Sequence, residues 1–171
     1  VFNINTTICI FRAITTGMPV VNKVVTVSGS GIVDPKNLEC PIGTPVSLLL
    51  DACGGVKDGT YKLIAGGPMM GMAQYTADIP VAKGTGAILA FCEKEEQTVE
   101  HPQCIRCGKC VAACPMHLEP LFMYQYAEKG MIDELNEAHI MDCMECGACA
   151  YACPARMHLT HMFKTAKQLV K

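Results

Sequence analysis

The phrase CIRCGKCVAACP at residues 104–115 returns as CMECGACAYACP at residues 143–154. Both copies follow the pattern C-x2-C-x2-C-x3-C-P, so eight of the twelve cysteines stand at one repeated spacing. Three cysteines at this spacing can each bind one iron of a cuboidal cluster. The residues between them are small or turn-forming, as at Gly108, Gly147 and Ala148, and they let backbone N–H groups point at sulfur.

The fourth cysteine of each copy lies just beyond its loop. In two-cluster ferredoxins with this spacing, that cysteine ligates the other cluster. Each copy therefore supplies three ligands to one [4Fe-4S] cluster and one ligand to its twin, so the two loops have to pack together. The predicted ligands of the first cluster are Cys104, Cys107, Cys110 and Cys153, and those of the second are Cys143, Cys146, Cys149 and Cys114.

Zinc and disulfides are the alternative uses of so many cysteines. Zinc favours C-x2-C pairs separated by a longer gap, and disulfide frameworks are typical of small, loop-rich secreted chains. Neither needs a phrase of three closely spaced cysteines plus a fourth, so the pattern favours iron–sulfur clusters in a reducing compartment. The other cysteines share no spacing and are interpreted as buried small hydrophobes: Cys9, Cys40, Cys53 and Cys92.

Composition sets limits on the fold and on the partners. A chain of 171 residues with 50% hydrophobic residues and a mean hydropathy of +0.25 can form one ordinary domain or two small ones. The net charge of -2 gives no sign of nucleic-acid binding. No apolar run approaches the roughly 18 residues of a membrane helix, and nothing resembles a signal peptide. Because the sequence begins at Val1, we expect it to be a piece of a longer protein.

The part before about residue 100 is typical of short strands around one helix. Residues 22–29, YKLIAGGP and GAILAFCEK are predicted strands. The stretch GTPVSLLLDACGG is predicted to form a helix, with Thr44 as N-cap and Pro45 at its first position. Its inward stripe would consist of Val46, Leu49, Leu50 and Cys53. This pattern indicates a small β-grasp-like unit.

The part after residue 100 is predicted to be mainly helical. Helices are expected over residues 119–129, over residues 133–140 and from Thr160 onward, the last with Met162, Phe163, Ala166 and Leu169 or Val170 on one face. Another helix is expected in the opening stretch, closed by Gly17. The fold class is therefore α+β, and the expected domains are a linker or helix over residues 1–21, the β-grasp-like unit over 22–96 and a two-cluster ferredoxin domain over 97–171.

Several weaker signals complete the picture. The stretches GSG and GTG lack the rest of a nucleotide-binding fingerprint and are interpreted as turns. For GGPMMGM the alternatives are a close approach to a cofactor and a turn with packed methionines, and the turn is favoured. Methionines near the cysteine phrases are expected to form an apolar shell: Met116, Met141 and Met144. Three cations in or near the cysteine phrases are either candidates for steering an acidic redox partner or ordinary solvated charges: Arg106, Lys109 and Arg156.

The segments VVTVSG, PIGTPVSLLLDACGG, IAGGPMMG, KGTGAIL, CIRCGKC and DCMECGACAYACPA together resemble the C component of the Rnf complex, a membrane-associated, ion-translocating ferredoxin:NAD oxidoreductase. The resemblance implies that residues 22–96 form a soluble-ligand-binding β-grasp (SLBB) domain and that the rest forms the two-cluster domain. It also implies that FMN and NAD(H) bind only in a domain upstream of this region, whose glycine-rich motif does not occur here.

The function implied by this resemblance is electron transfer through two [4Fe-4S] clusters, between a partner iron–sulfur subunit and an upstream flavin. The chain alone would be an electron carrier within a larger oxidoreductase. It would lie at the cytoplasmic face of the bacterial membrane, held peripherally by partner subunits. Two alternatives stay open: the electron-transfer part of a microcompartment cobalamin reductase, and a ligand-binding β-grasp module with structural clusters.

Overall fold

The computed structural model describes residues 2–92 and 102–170. The chain divides into two compact units, Val1–Glu96 and Gln97–Lys171. The boundary predicted between residues 96 and 97 lies outside the described residues, as does the end of the predicted strand GAILAFCEK.

The first unit contains a five-stranded mixed sheet and one packed helix. Its strands lie in the order β2-β1-β5-β3-β4, with β1 and β5 parallel and the other neighbours antiparallel. The sheet and its helix confirm the predicted α+β class. The elements of this unit are α1 (Ile4–Thr16), β1 (Asn22–Ser28), β2 (Lys36–Pro41), α2 (Val46–Ala52), β3 (Thr60–Ala65), β4 (Met72–Gln74) and β5 (Ala87–Cys92).

Helix α2 packs its apolar stripe against the two central strands. The stripe is buried as predicted, and alternate residues of β1 and β5 complete the core because successive strand residues point to opposite faces. These core residues are Val46, Leu49, Leu50 and Cys53 from the helix region and Val25, Val27, Ile88 and Ala90 from the strands.

The predicted start of α2 is wrong by one residue. The helix begins at Val46, so Pro45 is its N-cap residue and not its first helical residue. Thr44 does not cap the helix, because its hydroxyl donates to the carbonyl oxygen of Pro41 at 2.8 Å.

Two strands were absent from the sequence-based prediction. Strand β2 buries only Cys40, and β4 has three residues, none of them buried. Both lie at the edges of the sheet and bury so few residues that their sequences carry little hydrophobic alternation. GGPMMGM, beside β4, is a turn in which the N–H of Gly71 donates to the carbonyl of Gly67 at 2.7 Å. The prediction of packed methionines there is wrong, since Met69, Met70 and Met72 are exposed.

Helix α1 is the predicted opening helix. The side chain of Asn3 accepts a hydrogen bond from the N–H of Asn5 at its start, and Gly17 ends it in the left-handed conformation with φ 68°. None of its residues is buried.

The second unit is helical. Its elements are α3 (Lys109–Ala112), α4 (Pro120–Lys129), α5 (Ile132–Glu137), a 3-10 helix (Ile140–Asp142), α6 (Ala148–Ala152) and α7 (Leu159–Val170). The predicted helix over 133–140 is thus a shorter α-helix followed by a separate 3-10 turn. The core includes Met123, Leu135, Ile140, Phe163 and Ala166.

The inward face of α7 is mostly as predicted. Phe163 and Ala166 are buried, and Val170 packs against the same core. Leu169, the alternative to Val170, is exposed. Among the described stretches, 2–92 and 102–170, no helix is both long and apolar enough to cross a bilayer.

Candidate metal centre

The two cysteine phrases have the same backbone course. The third residue of each phrase, Arg106 or Glu145, has φ 55°, and the fifth residue is a left-handed glycine, Gly108 with φ 73° or Gly147 with φ 82°. A short helix follows each glycine, α3 in the first copy and α6 in the second. The glycines suit this course because they adopt positive φ without a steric penalty.

The repetition extends beyond the phrases. His117 and Arg156 stand three residues after the fourth cysteine of their copies, with φ 55° and 54°. Helix α4 then begins at Pro120 and α7 at Leu159, the same 39-residue offset that separates the phrases. The second unit is therefore two structural repeats of loop, short helix, turn and long helix, and α3 packs against α6.

A cavity in this unit collects cysteines from both repeats. It is lined by Cys114 of the first phrase and by three cysteines of the second phrase: Cys143, Cys146 and Cys149. The space between the atoms is about 380 Å³, open mouth included. The structure thus places together the four residues predicted to hold the second cluster.

Part of the other predicted set is also brought together. Burial is the main cause of the raised pKa of Cys110, and the charges of Cys104 and Cys153 nearby raise it further. Cys153 comes from the second phrase, so this neighbourhood also joins the two repeats. Cys107 belongs to the same loop and is exposed, like Cys104.

Backbone N–H groups face several of the sulfur atoms. The N–H of Arg106 donates to Cys104 Sγ, and the N–H of Leu118 donates to Cys114 Sγ, each at 3.4 Å. In the second repeat, burial raises the pKa of Cys143, and the N–H of Glu145 offsets part of that rise by donating to the sulfur. These donors stabilise thiolate, the form in which cysteine binds metal.

Burial disfavours the negative charge of a thiolate. It raises the pKa of Cys110 and Cys143, and it raises the pKa of Cys149 to about 11, because a thiolate loses solvation inside the protein. Burial therefore opposes the negative charge that four thiolates would bring to the cavity. The positive charge of Lys167 offsets part of this at Cys143, where it lowers the pKa.

Lys167 is a residue of this site that sequence reasoning missed. Its ammonium donates to the carbonyl oxygen of Cys143 and pairs with Glu145 at 2.9 Å. The side chain is only 15% exposed. A signal for it exists in the sequence, because Lys167 follows Phe163 by four residues and so continues the apolar face of α7.

Thr160 is a second missed residue. It lines the cavity, and its hydroxyl oxygen is buried with no hydrogen-bond partner in the part of the chain that the structure describes. A buried hydroxyl is ordinarily paired. The four cysteines can bind the irons of a cluster, and the N–H groups and the unpaired hydroxyl can donate hydrogen bonds to sulfur. The lining of the cavity therefore fits an iron–sulfur cluster.

The cysteine ligands line a cavity and do not converge on one point. Among the residues in 2–92 and 102–170, no three His, Cys, Asp or Glu side chains form a group that could hold a single metal ion. In a cuboidal cluster each thiolate binds its own iron, so its ligands do not have to converge.

The three methionines predicted to form an apolar shell are all exposed: Met116, Met141 and Met144. Met116 and Met144 nevertheless line the cavity, whereas Met141 is not among its lining residues. Of the scattered cysteines, Cys40 and Cys53 are buried as predicted, and Cys9 and Cys92 are half-buried. Arg106, Lys109 and Arg156 are exposed.

Comparison with known families identifies both units. A model described as the SLBB domain matches residues 24–73, and one described as the 4Fe-4S dicluster domain matches residues 97–154. The first unit thus contains an SLBB domain, and the second contains a two-cluster ferredoxin domain.

Curated relatives match most of the chain. It is 40% identical over 83% of its length to the C component of the Na(+)-translocating ferredoxin:NAD(+) oxidoreductase complex of Acetobacterium woodii. It is 41% identical over 80% of its length to the C component of the proton-translocating ferredoxin:NAD(+) oxidoreductase complex of Clostridium ljungdahlii, and 41% identical over 82% to that of the ion-translocating oxidoreductase complex of Rhodobacter capsulatus. The chain spans only 32%, 30% and 27% of these relatives.

Proposed function

We propose, from the homology of this chain to the C component of ion-translocating ferredoxin:NAD(+) oxidoreductase complexes, that it is an electron-transfer segment of such a complex. The observation that carries the proposal is the cavity in which Cys114 of one phrase joins Cys143, Cys146 and Cys149 of the other. Crossed cysteines of this kind are the ligand pattern of two-cluster ferredoxins.

In this proposal each repeat holds one [4Fe-4S] cluster. The first cluster is ligated by Cys104, Cys107, Cys110 and Cys153, and the second by Cys143, Cys146, Cys149 and Cys114. The cysteines supply thiolates, and the N–H groups of Arg106, Leu118 and Glu145 stabilise the charge on sulfur. The clusters supply one-electron chemistry, which the polypeptide itself cannot perform.

The electron route follows from the same chemistry. NAD accepts a hydride, whereas iron–sulfur clusters move single electrons, so a flavin is needed between them. We place this flavin and the NAD(H) site in a part of the protein upstream of this region. The other end of the route is a partner protein that carries iron–sulfur clusters.

Exposure suggests which cluster meets that partner. Cys104 and Cys107 are exposed, and Arg106 and Lys109 stand beside them with exposed side chains. Charges at such an edge orient an acidic partner and speed its association. The chain would be held at the cytoplasmic face of the membrane through its partner subunits.

The proposal is tested by analysis of the chain purified without oxygen. We expect a brown protein with about eight irons and about eight acid-labile sulfides, four of each for every [4Fe-4S] cluster. After reduction, electron paramagnetic resonance should show two interacting clusters. Stoichiometric zinc without visible absorption would contradict the proposal.

A further inference from the structure

The hydroxyl of Thr160 has no partner within the described residues, although its oxygen is buried. Thr165, on the same helix, behaves as threonines in helices usually do, and its hydroxyl donates to the carbonyl of His161 at 3.2 Å. The corresponding acceptor for Thr160 would be the carbonyl of Arg156. Arg156 precedes the helix and has φ 54°, so its carbonyl is not one of the acceptors aligned along the helix axis.

The position of Thr160 points to another acceptor. Thr160 lines the cavity shared by Cys114, Cys143, Cys146 and Cys149. When these cysteines hold a cluster, the hydrogen-bond acceptors inside the cavity are sulfur atoms. A buried unpaired hydroxyl destabilises the protein, and this cost disappears when the hydroxyl finds an acceptor.

The equivalent position of the first repeat carries no such donor. The residue 39 positions before Thr160 is Leu121, in the first turn of α4, and leucine has no hydrogen-bonding group in its side chain. The hydroxyl is therefore a feature of one of the two cluster sites and not of the shared repeat.

We propose that the hydroxyl of Thr160 donates a hydrogen bond to a sulfur atom of the cluster held by Cys114, Cys143, Cys146 and Cys149, and thereby raises the reduction potential of that cluster alone. This inference rests on the proposed function, because it requires the cluster. One-electron reduction makes the cluster more negative, and a donor to sulfur stabilises the more negative state. Thr160 thus counteracts the burial around Cys149, which disfavours added negative charge.

The test compares the reduction potentials of both clusters in the loaded protein. Thr160→Val removes the hydroxyl and preserves the branched shape of the side chain. We expect the equilibrium constant for reduction of the cluster beside Thr160 to fall about tenfold. This change lowers its reduction potential by about 59 mV for one electron. The potential of the other cluster should stay at its original value.

Two further variants separate the hydrogen bond from general effects on α7. Thr160→Ser keeps the donor and should retain the original potential. Thr165→Val makes the same chemical change on the same helix, at an exposed residue whose hydroxyl is already bonded, and should shift neither cluster. If Thr160→Val does not retain its clusters, Thr160→Ala replaces it in the comparison with Thr160→Ser.

The outcomes distinguish this inference from the proposed function. Unsubstituted protein without iron and sulfide would overturn the proposed function, and this inference with it. Full cluster content with unchanged potentials in Thr160→Val would overturn the inference alone. An equal shift of both clusters, or a shift of the same size in Thr165→Val, would also overturn it.

Discussion

Arg106 and Glu145 stand 39 residues apart and share one backbone conformation, with φ 55° at each. Neither is glycine, so each carries the penalty of about 1–2 kcal/mol that a side chain meets in the left-handed region. The conformation directs the N–H of each residue to the sulfur two positions earlier, on Cys104 or Cys143. Strain at equivalent residues thus accompanies the same N–H to sulfur contact in both repeats.

The crossed arrangement of cysteines predicts the effect of removing Cys114. In Cys114→Ala we expect the cluster bound mainly by Cys143, Cys146 and Cys149 to be lost or damaged, because Cys114 shares their cavity. Iron should fall from about eight toward about four per chain. The first cluster should persist, as judged by its electron paramagnetic resonance signal.

Cys92→Ala is the matched control for this experiment, since Cys92 is half-buried and lies in the other unit. It should keep full iron content. Loss of the cluster that contains Cys104 in the Cys114→Ala protein, with the other cluster intact, would refute the crossed assignment.

Lys167 is predicted to hold the loop of the second phrase. Its ammonium contacts the carbonyl of Cys143 and the carboxylate of Glu145, and the side chain is largely buried. Lys167→Met keeps the apolar stem and removes the charge. We expect the free energy of unfolding of the second unit to fall by about 1–3 kcal/mol, in line with hydrogen bonds to charged groups.

The same substitution should hasten the loss of iron to a chelator, measured from the decay of visible absorption. Lys129→Met serves as control, because Lys129 is an exposed lysine at the end of α4. Equal rates of iron loss in the two variants would mean that Lys167 does not stabilise the loop.

Gly29 is predicted to be irreplaceable for a steric reason. It has φ 115°, and a Cβ at this position would lie 2.0 Å from the carbonyl oxygen of Ala90. Gly29→Ala should therefore separate the ends of β1 and β5 and destabilise the first unit by more than about 3 kcal/mol.

Gly43 distinguishes this clash from backbone strain alone. It has φ 98°, but a Cβ there would meet no atom within 4 Å. Gly43→Ala should cost about 1–2 kcal/mol, the penalty of the left-handed conformation. Urea unfolding followed by circular dichroism compares the two variants, and similar costs would argue against the close approach of Ala90.

The exposed edge of the first cluster is predicted to dock an acidic partner. Reversal of Arg106 and Lys109 together to Glu should slow electron transfer from ferredoxin to NAD in the assembled complex, with a defect that depends on salt. Iron content should not change, because Glu145 already occupies the position equivalent to Arg106 with the same φ.

Reversal of Lys57 and Lys129 to Glu changes the net charge equally and provides the control. Both lysines are exposed and lie away from the cysteine phrases in sequence. Wild-type turnover of the Arg106/Lys109 variant at low salt would exclude this edge as the docking surface.

Local sequence patterns predicted much of the fold. The opening helix, the α2 stripe and the strands β1, β3 and β5 follow from periodicity and from Gly and Pro, which act on neighbouring residues. Strands β2 and β4 were not predicted, because each is an edge strand that is defined by its hydrogen bonds to one neighbouring strand. The short helices α3 and α6 were also not predicted, since helices of four and five residues are too short to show the helical period of hydrophobic residues.

The sequence by itself determined the repeated cysteine spacing, from which two sets of four ligands are predicted. The repeated spacing predicted both groups of four, and family comparison identifies the same stretch as a 4Fe-4S dicluster domain. Such spacing is informative because a loop of fixed length limits how its thiols can be presented.

Only the tertiary structure decided what surrounds those cysteines. It brought Lys167 and Thr160 to the second phrase, and in the first unit it set the strand order with β1 beside β5. These features depend on contacts between residues far apart in the chain. Their energy comes from packing and from contacts such as that of Lys167 with the carbonyl of Cys143, whose partners a local sequence pattern does not specify.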